Sequence, residues 1–115
     1  MSGSKIRGAS MAVMTVDFDI IRADQNSYQS ARAEFIEELR RGRREDQIRF
    51  DRNRCFLKTP EPIHVLARRL VRRNKILIDR DRVVIIEARS KKICVLGGCD
   101  MRIFESFSNY KLIDI

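Results

Sequence analysis

Residues Ile63, Leu66, Ala67, Leu70 and Val71 recur at the spacing of one helical face, and Arg68, Arg69, Arg72 and Arg73 fall on the other, with only Val65 among them. Such a helix must cover a core with its apolar stripe and turn its guanidinium stripe to water or to an anion. Upstream, Thr59-Pro60 offers a cap and a first helical residue. Downstream, Asn74 tolerates the left-handed conformation that ends many helices. The runs Lys75-Ile76-Leu77-Ile78, Asp79-Arg80-Asp81-Arg82 and Val83-Val84-Ile85-Ile86 follow at once. Thr59 to Glu87 therefore reads as an arginine-studded helix running into strands. Val83–Ile86 is apolar on both faces, which predicts a central strand.

Ahead of this unit, Met14 to Ile20 alternates apolar and polar, predicting a half-buried strand with Met14, Val16, Phe18 and Ile20 inward. Asp17 and Asp19 then share its outer face. A paired carboxylate can hold magnesium, but the further oxygens such a site needs cannot be placed, so both read as solvated. A first helix follows, capped by Ser27 or Ser30 and ending near Arg41 with Gly42 as its stop. Tyr28, Ala31, Phe35, Ile36 and Leu39 form its apolar face. Glu34, Glu37 and Glu38 are expected opposite, with Glu37 in reach of Arg41. Arg40-Arg41-Gly42-Arg43-Arg44 makes a dense basic knot in which glycine could let a phosphate approach the backbone. Gln47–Phe50 and Cys55–Lys58 read as short strands joined by the turn Asp51-Arg52-Asn53-Arg54, in which Asn53 is able to take positive φ. Phe50 and Phe56 interleave with arginine, as in single-strand binders, yet in a chain with six Phe, two Tyr and no Trp the core is the stronger claim on them.

Five further strands are expected at Ile76–Ile78, Val83–Ala88, Lys92–Leu96, Met101–Phe104 and Tyr110–Ile115, as an antiparallel meander. The order through Ile86 is strand, helix, strand, strand, helix, strand, which is the split βαβ order. The fold class is therefore α+β, a mainly antiparallel sheet with two helices packed on it. Residues 1–10 read as a cloning leader with Met11 as a native start, and 11–115 as one domain.

The chain carries 24 basic and 16 acidic residues, a net charge of +8, and arginine outnumbers lysine 18 to 6. Without Lys5 and Arg7 the balance is 22 against 16, still +6. Arginine binds phosphate as a fork and stacks on bases, which lysine does not. The expected function is that of a small, non-enzymatic nucleic-acid-binding protein, RNA favoured over DNA. Arg40, Arg41, Arg43, Arg44, Arg68, Arg69, Arg72, Arg73 and Lys75 would contact phosphates. The alternative is a protein–protein module, such as an adaptor, inhibitor or subunit, dimerising through sheet edges. No cofactor or metal is expected. His64 alone cannot supply a nucleophile–His–acid set, and Gly97-Gly98 lacks the Lys-Ser or Lys-Thr of a phosphate loop. Cys94 and Cys99 have no second ligand pair for zinc. Cys55 beside Arg54 is conceivable as a nucleophile of lowered pKa. An odd cysteine count predicts a reducing, intracellular setting, and no apolar run approaches a membrane span.

The run Ala67-Arg68-Arg69-Leu70-Val71-Arg72-Arg73-Asn74-Lys75-Ile76-Leu77-Ile78 resembles the helix-to-strand core of the RNA-binding module in the fourth small-subunit ribosomal protein family. Asn74 stands where that module usually has Gly, and Asp79-Arg80 where it has Asn-Gly. The resemblance covers these residues only, and implies that Arg68, Arg72, Arg73 and Lys75 are presented to RNA.

Overall fold

The computed structural model describes residues 11–73, 75–98 and 102–115. The readings placed on residues 1–10, Asn74 and Cys99 lie outside them. The alternating segment forms β1, Ala12–Asp19. Helix α1 spans Gln25–Arg40, the hairpin strands β2 and β3 span Ile48–Asp51 and Arg54–Thr59, and α2 spans Ile63–Arg72. Strands β4, Arg82–Glu87, and β5, Lys92–Gly97, follow. A short helix α3, Arg102–Ser106, and the two-residue β6, Lys111–Leu112, complete the chain.

The six strands make one sheet in the order β2-β3-β1-β4-β5-β6. Its first four strands are the split βαβ arrangement, each antiparallel to its neighbours. Val16 sits at the centre, opposite Cys55 of β3 and Ile85 of β4. Met14, Val16, Phe18 and Ile20 are all buried, and share a single core with Phe35 and Leu39 of α1 and Ile63, Leu66, Ala67 and Leu70 of α2. Both helices thus lie on one face of the sheet. Burying each such Leu or Phe contributes about 1.5–3 kcal/mol, which is why the two apolar stripes decide the layering.

Several boundaries differ from expectation, each for a local reason. Asp24, not Ser27 or Ser30, caps α1: its Oδ1 accepts the Ser27 N–H at 2.8 Å. The Ser27 backbone and hydroxyl together hold the Asp24 carboxyl below its ordinary value. Gly42 at φ +74 does turn the chain after α1. The β2–β3 turn takes positive φ at Arg52 (+55) rather than Asn53, whose carbonyl accepts the Phe18 N–H at 3.0 Å. Helix α2 starts at Ile63, not at Thr59-Pro60. Thr59 is the last residue of β3 and pairs with Ala12. Glu61 precedes Pro62, and the proline ring excludes it from helical φ/ψ.

Ile76–Ile78 is loop, not strand, so the helix-to-strand unit of the ribosomal-type resemblance does not form. Asp81 is the cause. Its carboxylate, fully buried, accepts the Leu77 N–H at 2.7 Å, the Ile21 N–H at 2.9 Å and the Arg22 guanidinium at 2.6 Å. A side chain that captures its own loop's N–H groups competes with a sheet ladder. The C-terminal meander is also corrected: residues 102–106 are helical, and β6 pairs with β5 in parallel. Phe107, just after α3, stands over the second sheet face beside Val84 and Ile86. No helix among the described residues is long and apolar enough to cross a membrane.

Candidate functional site

The basic knot after α1 and the arginine stripe of α2 converge at one corner of the molecule. Two carboxylates organise them. Glu38, on the third-from-last position of α1, has a fully buried side chain. Around it stand Arg69 Nε at 3.0 Å, Arg41 Nε at 3.4 Å and Arg73 Nε at 3.8 Å. The Arg69 approach is a close charge contact and not an aligned hydrogen bond, since neither Arg69 Nε nor Glu38 Oε2 has a hydrogen-bond partner among the described residues. Glu61, between Pro60 and Pro62, is positioned by the Thr59 hydroxyl, which accepts the Glu61 N–H at 3.0 Å. Its Oε1 accepts from Arg43 Nη2 at 2.7 Å and its Oε2 from Arg69 Nη1 at 2.8 Å.

Four guanidiniums therefore surround two carboxylates. The excess positive charge borders a cleft of about 400 Å³. Arg41, Gly42 and Arg43, the segment Lys58 to Glu61, and Arg69 line it. Arg43, one of the predicted residues, is buried rather than presented to solvent. Its side chain is 6% exposed, and its Nε has no hydrogen-bond partner among the described residues. In chemical terms the corner is an anion cradle already half-occupied by its own carboxylates.

The remaining predicted residues are dispersed. Arg40 leaves the cluster to lie over the Phe50 ring, 5.1 Å from its centroid. Arg44 pairs with Asp46 at 3.1 Å in solvent. Lys75 pairs with Glu34 at 3.2 Å. Arg68 and Arg72 are exposed, and neither makes an ion pair among the described residues. The predicted set thus divides: Arg41, Arg43, Arg69 and Arg73 are gathered by carboxylates, and Arg68 and Arg72 are unpaired.

Glu38, Glu61 and Lys58 were not among the predicted site residues. Glu38 was expected on the solvent side of α1, pairing aside, and Glu37 was expected to reach Arg41. At ~100° per residue, Glu38 lies within about 20° of Ala31 on the apolar side, a signal that its charge obscures. Phe56 was expected in the core, yet β3 turns Cys55, Leu57 and Thr59 inward and Arg54, Phe56 and Lys58 outward. Phe56 is exposed on the second face of the sheet, with Arg49 and Thr15 as its cross-strand neighbours.

The other candidates are placed as follows. Cys55 is fully buried on the face opposite Arg54, and its thiol is pushed up to about 12 by burial, which outweighs Arg43 and Arg40. That overturns the low-pKa nucleophile. Cys94 is likewise pushed up to about 11 by burial. Asp17 faces outward and pairs with Arg54 across the strands at 2.7 Å. No group of three or more metal-ligating residues occurs among the described residues. Comparison of the chain with protein families, with curated proteins and with solved structures finds no match.

Proposed function

We propose that this is a small nucleic-acid-binding protein, with RNA favoured over DNA, that grips phosphates at the corner where α1 ends and α2 begins. The observation that carries the reading is the imbalance there: Arg41, Arg43, Arg69 and Arg73 against Glu38 and Glu61, with Arg68 and Arg72, exposed on α2, making no ion pair among the described residues. A guanidinium held rigidly by a carboxylate on one edge still offers its other N–H groups to a phosphate. The split βαβ sheet, with α1 and α2 on one face, is also the frame on which many RNA-recognition domains are built, which is support by analogy of fold alone. An intracellular setting accompanies this reading, since Cys55 and Cys94 are both free thiols.

Fluorescence anisotropy with labelled single-stranded RNA, duplex RNA and duplex DNA at two salt concentrations tests it. Phosphate gripping gives binding that weakens steeply with salt. Absence of binding at low salt would defeat it. A second reading, capture of a protein partner, draws on the outer edge of β2, which has no strand beside it among the described residues.

A further inference from the structure

The anion cleft does not stand alone. A second depression, of about 360 Å³, lies on the open face of the sheet and contains Val13, Arg49, Phe56 and Lys58. Gln47 and Lys58 line both cavities. The two therefore adjoin at Gln47 and Lys58, with the guanidinium cluster in one and an exposed phenyl ring in the other.

We infer that these two adjoining depressions form a site for a single-stranded nucleic acid, with a phosphate in the cleft and the neighbouring base stacked on Phe56. The inference rests on the phosphate-gripping reading and names the form of nucleic acid it serves. Phe56 is 39% exposed and lies outside the buried core. Lys58 projects on the same side two residues along, about 6.6 Å away. Arg49 flanks the ring from β2 and can stack or contact phosphate. An aromatic face beside fixed cations is how single strands are held, because every base has a face to stack and only an unpaired strand can present it.

Charge assigns the two halves different tasks. The cleft sets Arg41, Arg43, Lys58 and Arg69 against Glu61, and so selects an anion. In the groove Glu45 and Asp46 balance Arg49 and Lys58, and Asp46 is already held by Arg44. The groove is close to neutral, and its distinguishing feature is the ring. A duplex could reach the cleft with its phosphates but could not lay a base on Phe56.

The test uses the absence of tryptophan from the chain. In Phe56→Trp the new indole is the sole tryptophan and reports stacking directly. Its fluorescence should be quenched by single-stranded RNA or DNA of mixed sequence, with affinity close to that of the parent. Phe56→Ala, checked for folding by circular dichroism, should weaken single-strand binding about tenfold and duplex binding less than twofold, with the salt dependence unchanged. If the parent binds single strands but Phe56→Ala binds them as tightly and Phe56→Trp is not quenched, the stacking inference is overturned and phosphate gripping survives. If the parent binds no probe at low salt, the phosphate reading fails and takes this inference with it.

Discussion

Arg43 and Glu61 meet at 2.7 Å, with 6% and 20% of their side chains exposed. The pair ties the loop after α1 to the link between β3 and α2, and Glu61 passes the connection on to Arg69. The same carboxylate thus builds the corner and lowers its net positive charge.

Replacing Glu61 with Gln separates those two effects. The variant should lose about 2 kcal/mol of stability, less than the cost of breaking a wholly buried pair because Glu61 is partly solvated. Its affinity for single-stranded RNA at low salt should stay level or rise, because the cleft gains net positive charge. Urea unfolding and anisotropy on the same preparation check both parts.

Arg68→Ala/Arg72→Ala should leave the urea midpoint unchanged, since neither guanidinium makes an ion pair among the described residues. It should weaken nucleic-acid binding and lower the slope of log affinity against log salt by about 1.4 on a single strand, for two phosphate contacts removed. An unaltered slope would remove these two residues from the interface.

Asp81→Asn should cost about 3 kcal/mol at neutral pH, because the Arg22 guanidinium is left beside an uncharged, fully buried partner. Burial opposes the Asp81 carboxylate, but Arg22 and the N–H groups of Ile21 and Leu77 hold its pKa below the ordinary value. A lowered folded pKa contributes stability that is complete above the unfolded value, about 3.9, and is lost as pH falls through the folded one. The gap between parent and variant should therefore be full at neutral pH and shrink as the pH falls below about 4. Urea midpoints across that range measure it.

Gly97→Ala and Gly42→Ala form a matched pair. Both glycines have positive φ, +85 and +74, so alanine strains either by about 1–2 kcal/mol. A Cβ at Gly42 meets nothing within 4 Å, whereas one at Gly97 would collide with the Asp81 carbonyl oxygen. Gly97→Ala should lower the thermal midpoint well beyond Gly42→Ala, because a backbone atom cannot swing aside.

Cys55 and Cys94 should resist a thiol reagent at pH 8 in the native protein and react only on unfolding, since both are buried and titrate far above that pH. Thiol titration of a Cys99→Ser variant with and without denaturant reads this without interference from the third cysteine.

Periodicity alone determined much of this protein. The alternation from Met14 to Ile20 places β1, and the apolar stripes of α1 and α2 choose which faces are buried, because hydrophobic burial follows local spacing. The split βαβ order could be read for the same reason. The tertiary structure decided the rest. It makes Arg43 a buried cation and Glu38 its neighbourhood's anchor, since a charge is buried only where partners distant in sequence converge on it. It turns Phe56 outward through the register of β3 against β1, a pairing that a one-residue slip would invert. It denies Ile76–Ile78 a place in the sheet through Asp81, whose partners Ile21 and Arg22 lie some sixty positions away. Local pattern fixes which surfaces seek a core. Which charges end up facing one another depends on long-range packing that no window of sequence contains.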